Sequence, residues 1–138
     1  MQDLEPSLRT EIDSAFRSAK QRLRDGDVAA AVKSGEEAWA RLPEPRFGWD
    51  VSQSYVHALA LMYRDARRFA DGVALMNALF ASGTVLDYED RPRFVLGTIY
   101  YEMGDMENAR RWLNEANKIS KGRCFRDEPE KYREAITK

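Results

Sequence analysis

The chain has 138 residues, 43% hydrophobic and 33% charged, with 22 basic against 23 acidic side chains and a formal net charge of −1. That mixture suits one globular domain able to bury a core without disulfide or metal staples, and it excludes the strongly basic field that nucleic acid requires. Cys124 has no second cysteine to pair with, the opening Met1-Gln2-Asp3-Leu4-Glu5-Pro6 has no leader character, and no apolar run reaches bilayer length, so a cytoplasmic protein without membrane contact is expected.

Pro6 suits a first helical turn, and Leu8, Ile12, Ala15, Phe16, Ala19 and Leu23 recur at helical spacing, predicting a helix from Ser7 to Arg24. Asp25-Gly26-Asp27 supplies a turn, and a second helix follows from Val28 to Leu42, stopped by Pro43-Glu44-Pro45. Arg46 to Asp50 reads as an insertion whose Phe47 and Trp49 fold back onto neighbouring helices, although a loop tryptophan also serves as a binding anchor. Val51 to Tyr63 is the third predicted helix, Asp65 to Arg68 a polar break, and Phe69 to Ala81 its partner. Ser82 to Asp87 connects onward, with Gly83 as a helix C-cap. Tyr88-Glu89-Asp90-Arg91-Pro92 leads into a fifth helix, Gly104-Asp105 breaks it, and a sixth runs on past Trp112, expected in or near the core, to Ile119. Lys121-Gly122-Arg123 ends that helix. Asp127-Glu128-Pro129-Glu130 opens a last short one, where Tyr132 and Ile136 cover an otherwise open edge.

The stretch from Leu96 to Ala116 carries a pattern. Leu96, Gly97 and Tyr100 have the spacing L-G-x-x-Y, Gly104 breaks the helix, and Ala109, Leu113 and Ala116 recur on the second element. This resembles the tetratricopeptide repeat, a helical hairpin of about 34 residues. Small residues let the two helices approach and large ones fill the gaps. Gly26, Ala31, Ala38 and Pro43 match the same places in a first unit, while Leu59-Ala60, Tyr63, Gly72, Met76 and Leu79 match a middle one. The seven-residue interval Ala31 to Ala38 returns as Gly72 to Leu79 and as Ala109 to Ala116. Arg67 stands where the other two turns have glycine. The expected fold is therefore all-α, with three stacked hairpins (6–45, 51–84 and 88–121) in a short right-handed solenoid and a capping helix over 127–138, all within one domain, 1–138.

Covalent catalysis needs a nucleophile, a base and an orienting group, yet His57 is the only histidine and Cys124 the only cysteine. No C-x-x-C, H-E-x-x-H or calcium loop is present, glycines occur singly, and Glu36-Glu37 and Glu89-Asp90 read as solvated pairs. No catalytic residues, metal ligands or cofactors are expected.

In tetratricopeptide arrays the first helix of each unit lines a concave wall that holds partner segments. The resemblance places Asp13, Phe16, Lys20 and Arg24 there from the first unit, Ser54, His57, Leu61 and Arg64 from the second, and Arg91, Phe94, Thr98 and Tyr101 from the third. The set mixes aromatic anchors with cations, as protein-binding hot spots do. Phe16, Leu61 and Phe94 have a second reading, packing under the C-terminal segment or the inserted loops. The cations have one as a solvated face, and His57 has one as a structural histidine. The carboxylate clamp of chaperone adaptors is disfavoured, because Phe16, Lys20 and Ala58 stand where it needs lysine, asparagine and asparagine, and only Arg91 keeps a suitable charge. The tail from Gly122 to Tyr132 resembles the ending of small tetratricopeptide-like immunity proteins of bacterial toxin loci. Taken together, the resemblances imply a non-catalytic protein-binding module, most specifically an immunity protein that neutralises a cognate toxin. The alternatives are a peptide-binding adaptor or, third, an enzyme with an unrecognised site.

Overall fold

The structure, a computed structural model, describes residues 1–137. Six long helices follow in order: α1 (Pro6–Arg24), α2 (Val28–Ala40), α3 (Ser52–Asp65), α4 (Phe69–Ala81), α5 (Asp90–Met103) and α6 (Met106–Ser120). A 3-10 turn (Arg123–Phe125) and a short α7 (Glu130–Glu134) follow among the described residues. The helix limits differ from expectation by a residue or two at most ends. The exception is the cap: only Glu130–Glu134 of the expected 127–138 is helical, and Lys138 lies outside the described residues.

Local chemistry sets the ends. The Glu5 carboxylate accepts from the Ser7 and Leu8 amides, both at 3.0 Å, and satisfies donors that a helix start leaves unpaired. A bond from the Ser7 hydroxyl first, and then those two, lower its pKa. Each turn between paired helices contains one left-handed residue: Gly26 at φ +83°, Arg67 at +60° and Gly104 at +87°. Glycine takes that conformation without penalty, whereas arginine carries a Cβ that opposes it.

α1 packs on α2, α3 on α4 and α5 on α6, while α2 meets α3, α4 meets α5, and α1, α3 and α5 lie side by side. Small residues sit where helices approach. A Cβ on Gly35 would fall 2.9 Å from Met62 Sδ, and one on Gly97 would fall 2.8 Å from Leu113 Cγ. Three buried clusters line up along the chain. Ile12, Phe16, Leu42, Leu59 and Met62 fill the first, Val56, Met76, Leu79, Leu96 and Ile99 the second, and Phe94, Leu113, Phe125 and Tyr132 the third. Trp112 is half-buried against Phe80, with ring centroids 5.1 Å apart.

The insertion folds back as expected. Trp49 Nε1 donates to the Pro43 carbonyl at 2.9 Å, and Phe47 packs 5.5 Å from Trp39. The N-terminal residues, unassigned by sequence, join it: the Asp50 amide donates to the Gln2 carbonyl at 2.9 Å in an isolated parallel bridge, and Leu4 is buried.

Candidate functional site

A concave face lies along α3, with α1 on one side and the start of α5 on the other. Ser54, His57, Ala58 and Leu61 follow the i, i+3, i+4, i+7 spacing that puts side chains on one helix face, and together they floor a cavity of about 500 Å³. Lys20 and Leu23 of α1 form one wall and Arg91 of α5 the other. Towards Asp13 and Phe16 a second depression continues from Ser54 and Ala58. At the far end the groove passes Arg64 and Asp65 to reach Glu102, Lys131 and Tyr132.

Of the residues that the repeat resemblance assigns to this wall, Lys20, Ser54, His57, Leu61, Arg64 and Arg91 line the main cavity. Phe16 borders its extension yet is only 4% exposed, stacked on Tyr55 with centroids 5.0 Å apart. Arg24 is exposed but off the lining, and it donates to Gln21 Oε1 at 2.8 Å. The third unit departs most. Phe94 and Thr98 are sealed at 1% and 0% exposure and offer nothing to a partner. Half-buried Tyr101 faces a separate depression with Met106, Arg110 and Lys131.

The C-terminal segment covers Phe94 and flanks Tyr101. Phe125 and Tyr132 meet Phe94 edge-on at 5.8 and 5.9 Å, and Tyr132 meets Tyr101 at 5.3 Å. Its hydroxyl donates to Glu102 Oε2 at 2.7 Å, the same atom that Lys131 approaches at 2.8 Å. Burial alone would raise the Glu102 carboxyl, but those two bonds outweigh it and lower the pKa. The tail thus covers Phe94, while residues of α1 and α3 with Arg91 of α5 line what stays open.

Two of the cavity's cations are already engaged. Arg64 Nε lies 2.9 Å from Asp65 Oδ1, its Nη1 donates to Thr98 Oγ1 at 3.1 Å, and its guanidinium stands 6.0 Å from the Tyr132 ring centre. Arg91 Nη1 is 3.4 Å from Glu128 Oε2, a carboxylate of the tail. Lys20 has no ionic partner among the described residues.

His57 Nε2 is buried without a hydrogen-bond partner. Burial first, and then the charge of Arg91, pushes its pKa down to about 4, so the ring is neutral at physiological pH. Three tyrosines form hydrogen bonds across helices that periodicity does not reveal: Tyr55 to Asp13 at 2.5 Å, Tyr63 to Glu36 at 2.6 Å and Tyr132 to Glu102. Burial raises all three phenol pKa values and the adjoining carboxylates raise them further.

Ala58, and besides it Leu23, Met62 and Asp65, also line the cavity and were outside the expected set. Leu23 was visible as the last apolar position of α1; Met62 and Asp65 required the packing. No cluster of three or more metal-ligating side chains and no helix long and apolar enough to cross a membrane occurs among the described residues. No protein-family model, no curated protein and no solved structure matches the chain.

Proposed function

We propose that this chain is a protein-binding module without catalysis of its own, in which three tetratricopeptide-like hairpins stack as a right-handed solenoid and hold a partner segment against α1 and α3. The left-handed turns at Gly26, Arg67 and Gly104 and the close approach at Gly97 support the stacking. The observation that carries the binding reading is the open cavity of about 500 Å³, where half-buried Leu61 and Ala58 lie beside Lys20. Apolar surface bordered by charge is the composition of interface hot spots.

Its most specific version is an immunity protein that covers the working surface of a toxin domain. The tail resemblance supports that version, and the tail's part in it is indirect, since Phe125 and Tyr132 are buried against α5. Affinity capture from the source cell tests the reading. One toxin-like protein should be retained, and Leu61→Glu should weaken retention at least tenfold with the helical circular dichroism unchanged. Equal retention by a folded Leu61→Glu chain would remove the groove from the interaction.

A further inference from the structure

We propose that a second copy of this chain fills the groove, each copy inserting its turn 86–89 between α1 and α3 of the other about a two-fold axis. The proposal goes beyond the partner reading and is tested on the pure chain, where no other protein is present.

The turn is rigid and it projects. The Glu89 amide donates to the Leu86 carbonyl at 3.1 Å, and the Leu86 amide donates back to Glu89 Oε1 at 2.8 Å. The Arg93 side chain, only 12% exposed, donates from Nη1 to both carbonyls, at 3.2 Å to Leu86 and 2.6 Å to Glu89, and its guanidinium stands 5.6 Å from the Phe80 ring centre. A buried arginine therefore fixes a backbone whose large side chains face solvent: Tyr88 is 72% exposed and Leu86 48%. An aromatic ring held out on a fixed backbone loses little conformational entropy on binding, which suits it as an anchor.

Charge identifies what receives it. Asp87, Glu89 and Asp90 have no ionic partner among the described residues, and the next two arginines are engaged, Arg91 with Glu128 and Arg93 with Glu115. Met1, which borders the depression beside Leu86, brings one amino-terminal charge against those three carboxylates. On α1, Arg17, Lys20 and Arg24 are exposed at the i, i+3, i+7 spacing of one helix face, and they too have no ionic partner among the described residues. The carboxylates around them are taken, Asp13 by Tyr55 and Arg9, Asp65 by Arg64, and Asp25 by the Gln21 amide. Lys20 shares its cavity with half-buried Leu23, Ala58 and Leu61, apolar surface of the kind that Tyr88 and Leu86 lack. Ser54 borders both that cavity and the depression at Leu86, so the turn and the groove share a face. A face that carries both halves of a contact can close as a two-fold dimer rather than an open array. The contact is small, and a weak Kd of about 0.05–0.5 mM is expected. Two copies so joined cover both grooves, which makes self-association and partner binding mutually exclusive.

Sedimentation equilibrium of the full-length chain from 10 μM to 1 mM, at 50 mM salt, measures the contact. A reversible monomer–dimer equilibrium is expected. Tyr88→Ala should weaken it at least tenfold, and Lys20→Glu or Asp87→Lys about five- to twentyfold, because a two-fold contact places each substitution at both junctions. All three side chains are exposed, so circular dichroism should stay unchanged. Equimolar Lys20→Glu and Asp87→Lys chains should pair with each other to within about threefold of the unaltered Kd, since opposite charges then face each other at both junctions, and 0.5 M salt should weaken the unaltered dimer. A monomer throughout the range overturns the proposal, as does a dimer indifferent to Tyr88→Ala or a failure of the mixed variants to pair. None of these results bears on retention of another protein at Leu61, so the partner reading stands or falls on its own capture experiment.

Discussion

Gly97 lies at a close approach of α5 and α6, and replacing it with alanine tests how the helices are packed. A Cβ there would lie 2.8 Å from Leu113 Cγ, 2.9 Å from its Cδ2 and 3.1 Å from its backbone nitrogen, where ordinary contact begins near 3.4 Å. Rotating the leucine relieves the first two contacts but not the third, so the helices must move apart by a few tenths of an ångström in a fully buried region. Overpacking of this kind costs about 1–3 kcal/mol, and the backbone contact puts this case in the upper half of that range. Alanine recovers about 1 kcal/mol of helix propensity over glycine. The net expectation for Gly97→Ala is a loss of about 1–2 kcal/mol, or about 4–8 °C in Tm for a chain of this size. Urea unfolding followed by circular dichroism at 222 nm measures it. A cycle with Leu113→Ala isolates the contact: in that background Gly97→Ala should cost less than half as much. If Gly97→Ala stabilises the unaltered protein, as propensity alone would require, the close approach of α5 and α6 is wrong.

Arg67 holds a left-handed turn that Gly26 and Gly104 make without a Cβ. Arg67→Gly should raise stability by about 0.5 kcal/mol, after its lost stacking on Phe69 and the freer unfolded chain are set against about 1–2 kcal/mol of relieved strain. Gly104→Ala, with nothing within 4 Å but a φ of +87°, should lower it by about 1 kcal/mol in the same urea assay. The depressed pKa of His57 makes stability pH-dependent in a defined window: the unfolded chain takes up a proton near pH 6.5, the folded one only near pH 4. The contribution is therefore complete above pH 6.5 and is lost as pH falls towards 4, by about 1–3 kcal/mol once the ring's partial exposure is discounted. The difference between the protein and His57→Gln in urea midpoints from pH 7.5 to 4.5 should show that slope, and parallel curves would refute it. Tyr132→Phe removes one hydrogen bond to Glu102 and should cost about 1 kcal/mol. Tyr132→Ala should instead loosen the tail from Phe94, seen as faster limited proteolysis between residues 121 and 130.

Much of the fold was legible without coordinates because its causes are local. Apolar residues at helical spacing, Pro6 in a first turn, Gly26 and Gly104 at the breaks and the small residues at Ala31, Gly72, Ala109 and Ala116 all act over a few positions, and α1 to α4 fall within a residue or two of their expected limits. The inner positions of α1 and α3 came from the repeat resemblance, and they hold in part, since Phe16 is buried and Arg24 lies off the lining. Lys20, Ser54, His57 and Leu61 accordingly reach the cavity.

The same spacing failed at Phe94 and Thr98. A 3.6-residue period tells which residues share a face and says nothing about what covers that face. Over Phe94 the cover comes from Phe125 and Tyr132, more than 30 residues further along, through contacts that no periodicity encodes. Long-range charge pairing is hidden in the same way. Arg64 and Arg91 read alike as groove cations, yet one is tied to Asp65 and Thr98 and the other to Glu128. The amino-acid order by itself determined where helices start, bend and stop, since those are choices each short segment makes with its own atoms. Which faces remained open was decided only when distant segments competed for the same apolar surface, and the tail took the part around Phe94.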